Sequence, residues 1–599
     1  MAEEKNKLNA EVTAVYPNKV RIAVRDLSDF SIPGEKLSVG SYVRVSDHEN
    51  CAIIAVIENY EIEQVEGGER RYIIEANPIG FLDSEGQLHR GGTNIAIPPI
   101  AACPAKEEEI QKIYEQVEQP KRFCFAKLSQ LEAIRVPVDG DSFFNKHIAV
   151  IGSTGSGKSC TLASIVQNVM LEREGGYKGL NNSHIVIFDL HGEYNTAFPT
   201  ANVVDVETLR LPYWLMNEEE LEELLIERGG EAQAYNQAAL LRRIVTHNKA
   251  RKSGSPRVTF GSPVPFSMKE VLNCLINLSS ETVNYENESQ ACIKGNRVAF
   301  ETDEEQFKHY CENVREFDSI NSKRSNNEGV KKGTYNDGSL DKFINRLKGK
   351  VEGERLKFLF GEGIEKIGFE DVLKSLLAYN DENQANVTII DLSGIPFEVL
   401  SITVSLISRL LFEYGYYFKR FKLKQNAEVP LLLVYEEAHK YVPKGTSGRY
   451  EACRTAIERV AKEGRKYGVT LVIMSQRPSE ISETIFSQCN NFVAMRLTNP
   501  EDQNYVKRLL PDSLGPLTDS LPTLRQGEAL LIGEAVIMPS LVKIDRCSPE
   551  PSSKDMLYLQ EWKKKWQSVD FVTLTGSWSG VTMRKGKKDG EKGVTPTHF

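Results

Sequence analysis

The chain has 599 residues, a net charge of −9 at pH 7 and a mean hydropathy of −0.36. This charge excludes a surface coated with nucleic-acid-binding positive charge, although a local basic surface such as the lining of a ring remains compatible with it. No apolar run approaches the ~18 residues that cross a bilayer, and the N-terminus has no secretory apolar segment. We therefore expect a cytoplasmic protein of several domains with no membrane partner.

The ten cysteines are scattered along the chain, with no C-x-x-C pair and no cysteine–histidine cluster at zinc spacing. This distribution indicates neither a disulfide framework nor a structural zinc site. We expect the cysteines to be reduced and buried.

Residues 1–110 show the pattern of a β-domain. Val20, Ile22 and Val24 alternate with polar residues, and further short apolar runs are separated by Pro-Asn and Gly-Gly turn signals. Short strands without intervening helices predict a small β-barrel, which we interpret as an assembly or docking domain. A linker is predicted over residues 111–145.

A phosphate-binding loop then opens the first part of an ATPase core, predicted over residues 146–216. The apolar residues 148–151 suit a buried strand, and residues 152–159 read GSTGSGKS, which satisfies G-x-x-x-x-G-K-[ST]. In such a loop, backbone N–H groups and the lysine hold the phosphates of ATP, and the serine hydroxyl binds Mg²⁺. The predicted nucleotide-binding residues are Gly152, Ser153, Thr154, Gly155, Ser156, Gly157, Lys158, Ser159 and Cys160.

Two acids lie at the carboxyl end of the next predicted strand, residues 185–189. Asp189 and Glu193 lie in the sequence DLHGEY. Carboxylates at the carboxyl end of such a strand face the ligand crevice of an open α/β sheet. Ordinary turn chemistry explains the same two acids, so both interpretations stay open.

Residues 217–385 are helical and polar in pattern, and we interpret them as an insertion into the core. Within them, residues 322–341 have almost no apolar side chains and predict a loop. The second part of the core is predicted over residues 386–546, and a C-terminal tail over residues 547–599. Trp562 and Trp566 of the tail are candidate anchors on a neighbouring subunit or a partner.

The second part of the core carries the candidate catalytic residues. The run PLLLVYEEAH over residues 430–439 predicts a buried strand that ends in two acids, with Glu436 contacting Mg²⁺ and Glu437 acting as the general base. Gln476 follows another apolar strand and is either a sensor of the γ-phosphate or a polar strand terminus. Lys444 and Arg449 are either DNA contacts or part of a solvated surface loop.

With these elements in place, the chain resembles the HerA family of hexameric DNA-translocating ATPases, which belongs to the same superfamily as FtsK. The resemblance rests on the order and spacing of the phosphate loop, FDLHGEY, LPYWLMN, IIDLSGIP, YEEAH, EGRKYG and SQRPSEI over nearly the whole chain. It implies an α/β fold, in which a RecA-like P-loop ATPase core carries an N-terminal small β-barrel and a helical insertion. It also implies a homo-hexamer, double-stranded DNA as a partner, and a separate NurA-like nuclease or a sirtuin-like or nuclease defence effector.

Carried over position by position, the resemblance implies that Lys158 and Ser159 bind ATP and Mg²⁺. It makes Glu436 and Glu437 the acidic pair and Gln476 the γ-phosphate sensor. Most relatives have an aspartate where this chain has Glu436, so the longer side chain must still reach the metal.

Two basic residues complete the resemblance. Arg465 matches a basic residue that reaches the nucleotide. Lys146 stands where relatives often have an arginine that contacts the nucleotide of a neighbouring subunit. A lysine keeps the charge at that position but loses the planar guanidinium fork.

We interpret the chain as a ring-forming motor that hydrolyses ATP to move along or unwind double-stranded DNA, in DNA end processing or anti-phage defence. The first alternative is an ATP-gated ring that assembles and activates a partner effector without moving along DNA. The second is a secretion or conjugation pump ATPase, against which the predicted barrel and the lack of a predicted membrane span favour the HerA interpretation.

Overall fold

The fold is given by a computed structural model. It describes residues 10–16, 18–27, 30, 37–46, 52–64, 70–83, 85–89, 101–226, 231–321, 329–380, 383–421, 428–445, 450–510, 515–552 and 557–578. The chain divides into one compact unit over residues 1–552 and a second unit over residues 553–599.

The first domain is an antiparallel sheet in the strand order β1-β2-β5-β4-β3-β7, with β6 beside β5. A bridge between Glu11 and Ala101 brings the two ends of the sheet together, so the sheet curls into a small barrel. Val12, Ile22 and Val43 are buried in its interior, as the alternating pattern predicts. Its strands are β1 (Ala10–Tyr16), β2 (Lys19–Val24), β3 (Tyr42–Ser46), β4 (Ala52–Gln64), β5 (Arg70–Leu82), β6 (Leu88–His89) and β7 (Ala102–Pro104).

The first part of the core follows the barrel. It contains α1 (Glu107–Glu115), β8 (Arg122–Leu128), β9 (Arg135–Asp139), α2 (Gly140–Phe144), β10 (His147–Ile151), α3 (Lys158–Leu171), β11 (His184–Asp189) and β12 (Asn202–Val204). Leu162, Ile165 and Val166 of α3 are buried, because their spacing places them on one face of the helix.

The insertion combines helices with short strands. Its helices are α4 (Glu218–Leu225), α5 (Glu231–Ser253), α6 (Met268–Ser280), α7 (Asp303–Glu312), α8 (Asp341–Val351), α9 (Lys357–Phe360) and α10 (Phe369–Leu376). Its strands are β13 (Thr282–Asn284), β14 (Gln290–Ile293), β15 (Asn296–Ala299), β16 (Val330–Lys332), β17 (Tyr379–Asn380) and β18 (Asn383–Gln384).

Four of these strands form an antiparallel sheet in the order β15-β14-β13-β16. The sequence pattern does not predict this sheet, because each strand is too short to show a period of two. Of the predicted loop over residues 322–341, residues 322–328 lie outside the described residues, and β16 lies within the remainder.

The second part of the core completes the chain up to the tail. It contains β19 (Val387–Asp391), α11 (Phe397–Phe421), β20 (Leu431–Tyr435), α12 (Glu451–Glu463), β21 (Val469–Ser475), α13 (Glu483–Phe486), β22 (Cys489–Met495), α14 (Pro500–Leu509), α15 (Gly515–Asp519), β23 (Glu528–Gly533) and β24 (Ser540–Ile544).

The two parts of the core build one eleven-stranded sheet, in the order β12-β19-β11-β20-β21-β10-β22-β23-β24-β8-β9. The strands from β12 to β22 are parallel, and the others are antiparallel. Every side chain of β10 and β20 is buried, as in parallel strands covered on both faces. The loops after β10, β11, β20 and β21 therefore meet at one edge of the sheet, and the predicted α/β fold with a barrel and an insertion is confirmed.

Residues 122–139 differ from the prediction of a linker over residues 111–145. They form β8 and β9, which pair with each other and extend the core sheet through β24. Phe123 and Phe125 of β8 and Val136 and Val138 of β9 are buried. This alternation of buried residues belongs to a strand pair rather than to a linker.

A buried ion pair joins the insertion to α11. The Arg409 guanidinium donates to the Glu220 carboxylate from Nη2 at 2.9 Å and from Nε at 3.1 Å. The two side chains are 11% and 0% exposed, respectively. The Ser405 hydroxyl donates to the same carboxylate at 2.9 Å, and Asn217 caps α4 by accepting from the Glu220 backbone N–H. The start of the insertion is therefore fixed by charge-assisted hydrogen bonds.

The second unit contains α16 (Tyr558–Trp562) and α17 (Phe571–Trp578) among its described residues. α16 ends at Trp562, so Trp566 lies beyond it. Trp562, Trp566 and Trp578 are all exposed. No helix among the described parts of either unit is long and apolar enough to span a membrane.

Candidate ATP site

The phosphate-binding loop connects β10 to α3 at the carboxyl edge of the sheet. Gly155 and Gly157 have φ values of +72° and +105°, which glycine adopts without strain. A Cβ on Gly152 would lie 2.6 Å from Ser156 Oγ and 2.9 Å from Met495 Cβ, so the loop needs a glycine there as well. The sequence motif thus corresponds to a loop whose curvature depends on its glycines.

Lys158 lies inside the loop. Its Nζ donates to the carbonyl oxygen of Gly152 at 2.9 Å. Burial lowers the pKa of Lys158, while the nearby carboxylates of Glu437, Glu436 and Glu193 oppose that shift. The ammonium group is therefore held between the loop and a cluster of acids, where a nucleotide phosphate would also meet it.

Three glutamates form that cluster. Glu436 and Glu437 directly follow β20, and both are buried. Glu193 lies opposite the loop, and the Ser159 hydroxyl donates to its Oε2 at 3.2 Å. Burial, together with the charges of Asp189 and Glu193, raises the pKa of Glu436 to about 9. Burial also raises the pKa of Glu193, so both carboxyls lie where a cation would be favourable.

Asp189 has a different environment from these glutamates. Its Oδ1 accepts hydrogen bonds from the backbone N–H groups of His191, Gly192 and Glu193, at 2.8 to 3.2 Å. Its Oδ2 accepts from the N–H of Tyr194 at 3.0 Å. For Asp189 the geometry therefore favours the turn interpretation, whereas Glu193 faces the phosphate loop.

Gln476 connects the phosphate loop to the acidic pair. The Thr154 hydroxyl donates to Gln476 Oε1 at 2.5 Å, and Gln476 Nε2 donates to Glu437 Oε1 at 2.5 Å. The structure therefore brings together three residues that lie far apart in the sequence, and it places Gln476 where a γ-phosphate sensor is predicted.

Glu437 itself is held in a strained conformation. Its φ is +46°, in the left-handed region that few non-glycine residues adopt. Its Oε2 is buried and accepts no hydrogen bond, and His439 Nδ1 lies 3.3 Å from it. One carboxylate oxygen of the predicted base is thus oriented by Gln476, while the other makes no hydrogen bond and lies beside His439.

These side chains fit a nucleotide with Mg²⁺. The described residues contain no cluster of three or more His, Cys, Asp or Glu side chains arranged to hold a metal alone. Mg²⁺ in nucleotide sites is instead bound by one or two protein oxygens together with phosphate oxygens and water. Ser159 Oγ and the Glu436 carboxylate supply oxygens of this kind beside the loop, and the unpaired Oε2 of Glu437 suits a bound water.

Lys146 and Arg465 lie at the amino ends of parallel strands, on the edge of the sheet opposite the phosphate loop. Lys146 precedes β10, where it forms an ion pair with Glu534. Arg465 belongs to a short 3₁₀ helix that precedes β21. Because β21 has seven residues, this edge is about 20 Å from the phosphate loop at ~3.3 Å per residue. The structure therefore does not bring Lys146 or Arg465 to the nucleotide site of their own chain.

The two candidate DNA contacts differ in what the structure describes. Lys444 is exposed and forms an ion pair with Glu483 at 2.6 Å. Arg449 lies outside the described residues. The DNA-contact hypothesis therefore stays a prediction for both residues.

A C-terminal strap, residues 547–552, lies against the site. Cys547 forms a disulfide with Cys160 of α3, with Cα atoms 5.8 Å apart. Gln167 Nε2 donates to the Pro549 carbonyl at 2.9 Å, and the Ser552 N–H donates to the Glu193 carbonyl at 2.9 Å. This disulfide corrects the expectation that all cysteines are reduced. Its partners are 387 residues apart, and no spacing rule indicates such a pair.

Comparison with known proteins finds relatives over most of the chain. Residues 123–411 match the family described as "Helicase HerA, central domain". The "DNA double-strand break repair helicase HerA" of Sulfolobus acidocaldarius is 26% identical over 553 residues, which cover 88% of this chain and 93% of that protein. The protein of the same name from Saccharolobus solfataricus is 27% identical over 493 residues, which cover 80% of this chain and 81% of that one. The resemblance to the HerA family that the sequence predicts is therefore confirmed.

The family match and the named helicases agree with a P-loop ATPase, and the enzyme class predicted from the sequence is confirmed. Among solved structures, VirB4 of Thermoanaerobacter pseudethanolicus is similar over 74% of this chain and 99% of that one, with 12% identity and a TM-score of 0.42. The roles of the individual HerA site residues remain predictions that rest on the geometry described above.

Proposed function

We propose that this chain hydrolyses ATP with Mg²⁺ at an interface between two copies of itself and uses the cycle to move along double-stranded DNA. The proposal rests on one observation, which is that the candidate residues lie at opposite ends of the parallel strands of one sheet. Lys158 and Glu437 lie at the carboxyl edge, whereas Lys146 and Arg465 lie about 20 Å away. A second copy that presents its basic edge to this site supplies the missing cations.

Within the site, each residue has one task. The loop N–H groups and Lys158 bind the phosphates, and Ser159 and Glu436 would hold Mg²⁺, which neutralises charge on the phosphoryl group. Glu437 accepts the proton of the attacking water, because its Oε2 makes no hydrogen bond within the protein. Gln476 orients Glu437 and contacts the loop.

In this proposal the chain moves along double-stranded DNA, because the relatives are named as DNA double-strand break repair helicases. The proposal extends to a hexameric ring and to a separate nuclease or defence effector as a partner. Both parts rest on the resemblance to the HerA family. Size-exclusion chromatography with light scattering, in the presence of ATP, tests the ring.

ATP hydrolysis by the purified chain, with and without linear double-stranded DNA, tests the motor. Glu437→Gln is expected to lower turnover at least 10²-fold, whereas Glu354→Gln, at an exposed position in the insertion, leaves it unchanged. Stimulation by DNA supports translocation. Hydrolysis that ignores DNA but rises with a partner protein contradicts autonomous translocation and favours the ATP-gated ring.

Mixed assemblies test whether Arg465 acts across the interface. Neither Arg465→Ala nor Glu437→Gln subunits alone are expected to hydrolyse ATP at more than about 10⁻² of the normal rate. In a mixture, some interfaces combine an intact Glu437 with an intact Arg465 of the neighbour, so activity returns. Mixing that restores nothing places Arg465 outside the neighbour's site and contradicts this part of the proposal.

A further inference from the structure

Arg496 lies beside the phosphate loop, on the side away from Gln476. It directly follows β22, whose parallel register with β10 pairs Ala494 with Ile151. The Ser153 N–H donates to the Arg496 carbonyl at 2.7 Å. The Thr498 N–H donates to Ser153 Oγ at 3.0 Å. Two hydrogen bonds with backbone groups of Arg496 and Thr498 therefore hold the end of β22 against the phosphate loop.

The Arg496 side chain is aimed at the tip of the loop. Its Nη2 would lie 4.0 Å from a Cβ built on Gly155. Gly155 has no side chain and a φ of +72°, so nothing at that position separates the guanidinium from a ligand in the loop. Arg496 is also partly shielded from solvent.

Among the described residues, the guanidinium of Arg496 has no carboxylate partner. Its Nε is buried and makes no hydrogen bond. A guanidinium carries five N–H donors, and leaving a buried donor unpaired costs free energy. Arg409 shows the contrast, because Glu220 and Glu413 compensate its charge.

We infer that Arg496 is a nucleotide-binding residue that acts in its own chain, with its guanidinium donating to the phosphates of ATP in the loop. An anionic polyphosphate supplies the acceptor oxygens that the side chain lacks, and a guanidinium pairs with phosphate through two parallel hydrogen bonds. The loop is then flanked by Gln476 from β21 and Arg496 from β22. This inference rests on the proposed ATP site, but not on DNA or on a ring.

Equilibrium binding tests the inference without requiring hydrolysis. Arg496→Gln is expected to raise the Kd of a non-hydrolysable ATP analogue about 10-fold or more, with Arg496→Lys in between. Inorganic tripolyphosphate, used as a competitor, is expected to lose affinity by a similar factor, because the contact is with phosphate. Arg508→Gln, at an exposed position on α14, is the matched control.

Stability of the ligand-free chain separates binding from folding. Arg496→Gln removes an uncompensated guanidinium, so the melting temperature without nucleotide is expected to stay level or rise, while the increase caused by ATP shrinks. An unchanged Kd for both ligands overturns the inference. Weaker binding of the ATP analogue with unchanged tripolyphosphate affinity also overturns it, because Arg496 would then contact the base or ribose. Loss of DNA stimulation alone would count against the proposed motor and not against Arg496.

Discussion

Gln476 donates a hydrogen bond from Nε2 to Oε1 of Glu437, from the end of one parallel strand to the end of its neighbour. The same side chain accepts a hydrogen bond from Thr154 in the phosphate loop. A single amide therefore links the phosphate loop to the predicted general base. This linkage makes Gln476 a positioning residue as well as a candidate γ-phosphate sensor.

Replacing Gln476 with alanine is expected to lower kcat about 10-fold or more with little change in KM. The loss of the amide that orients Glu437 impairs the chemical step but not nucleotide binding. Steady-state ATP hydrolysis over a range of ATP concentrations measures both constants. Gln111→Ala on α1, whose amide donates to the exposed Glu115, is the control. A higher KM with an unchanged kcat would make Gln476 a binding residue instead.

His147 at the start of β10 predicts a loss of stability in acid. Its Nε2 hydrogen bonds with the Ala461 carbonyl at 2.8 Å, and its Nδ1 accepts from the Leu471 N–H at 3.1 Å. Burial lowers the pKa of His147 to about 4, below the ordinary value of ~6.5. The stability that the neutral ring contributes is thus complete above pH ~6.5 and is lost as the pH falls towards 4.

Between pH 7 and pH 5 this single group is expected to cost about 2 kcal/mol of unfolding free energy. Denaturant unfolding of the wild type and of His147→Gln at the two pH values measures the difference. At pH 7 the His147→Gln variant is expected to be less stable than the wild type, but it loses less unfolding free energy between pH 7 and pH 5. Equal losses in the two proteins would show that protonation of His147 does not limit stability in acid.

The Arg409–Glu220 pair predicts strong coupling between α11 and the insertion. Arg409→Met leaves the fully buried Glu220 without its counter-ion and is expected to cost about 3–5 kcal/mol. Adding Glu220→Gln removes that uncompensated charge, so the double variant is expected to be more stable than the sum of the single effects.

Denaturant unfolding of the two single variants and the double variant gives the coupling energy. Lys374→Met breaks an exposed pair with Glu370 and serves as the control, with an expected change within about 0.5 kcal/mol. Strictly additive effects at positions 409 and 220 would mean that the buried pair does not hold the insertion to α11.

The disulfide of the C-terminal strap predicts that the stability of the chain depends on reductant. Cys547→Ser, or reduction of the wild type, is expected to lower stability by about 2–4 kcal/mol, because the disulfide constrains the unfolded chain. Alkylation in denaturant without reductant is expected to modify two thiols fewer than alkylation after reduction. Cys103→Ser, at an exposed free thiol, is expected to change neither result. Full alkylation before reduction would contradict the disulfide.

Much of the site could be predicted because local sequence determines it. The phosphate loop needs glycines at fixed spacing, and an apolar strand that ends in acids places them at the carboxyl edge of a parallel sheet. The position of Arg465 follows from the same rule, since a residue just before a parallel strand lies at the opposite edge.

Other features depend on contacts between distant segments. The strands β8 and β9 join the sheet only through β24, which comes about 400 residues later. The Arg496 Nε without a hydrogen bond becomes apparent only when the neighbours of β22 are known. The Cys160–Cys547 pair likewise depends on where the chain returns after the last strand.

The position of β10 in the sheet has a consequence for synthesis on the ribosome. β10 ends at Ile151, whereas its neighbour β21 begins only at Val469. At ~5–20 residues per second, roughly 15–65 s of translation separate the two strands. During that interval an apolar strand bearing a complete phosphate-loop motif has neither of its partners. A nascent chain therefore carries the signature of an ATPase long before it has an active site, and premature termination before Gln476 leaves the motif without the enzyme.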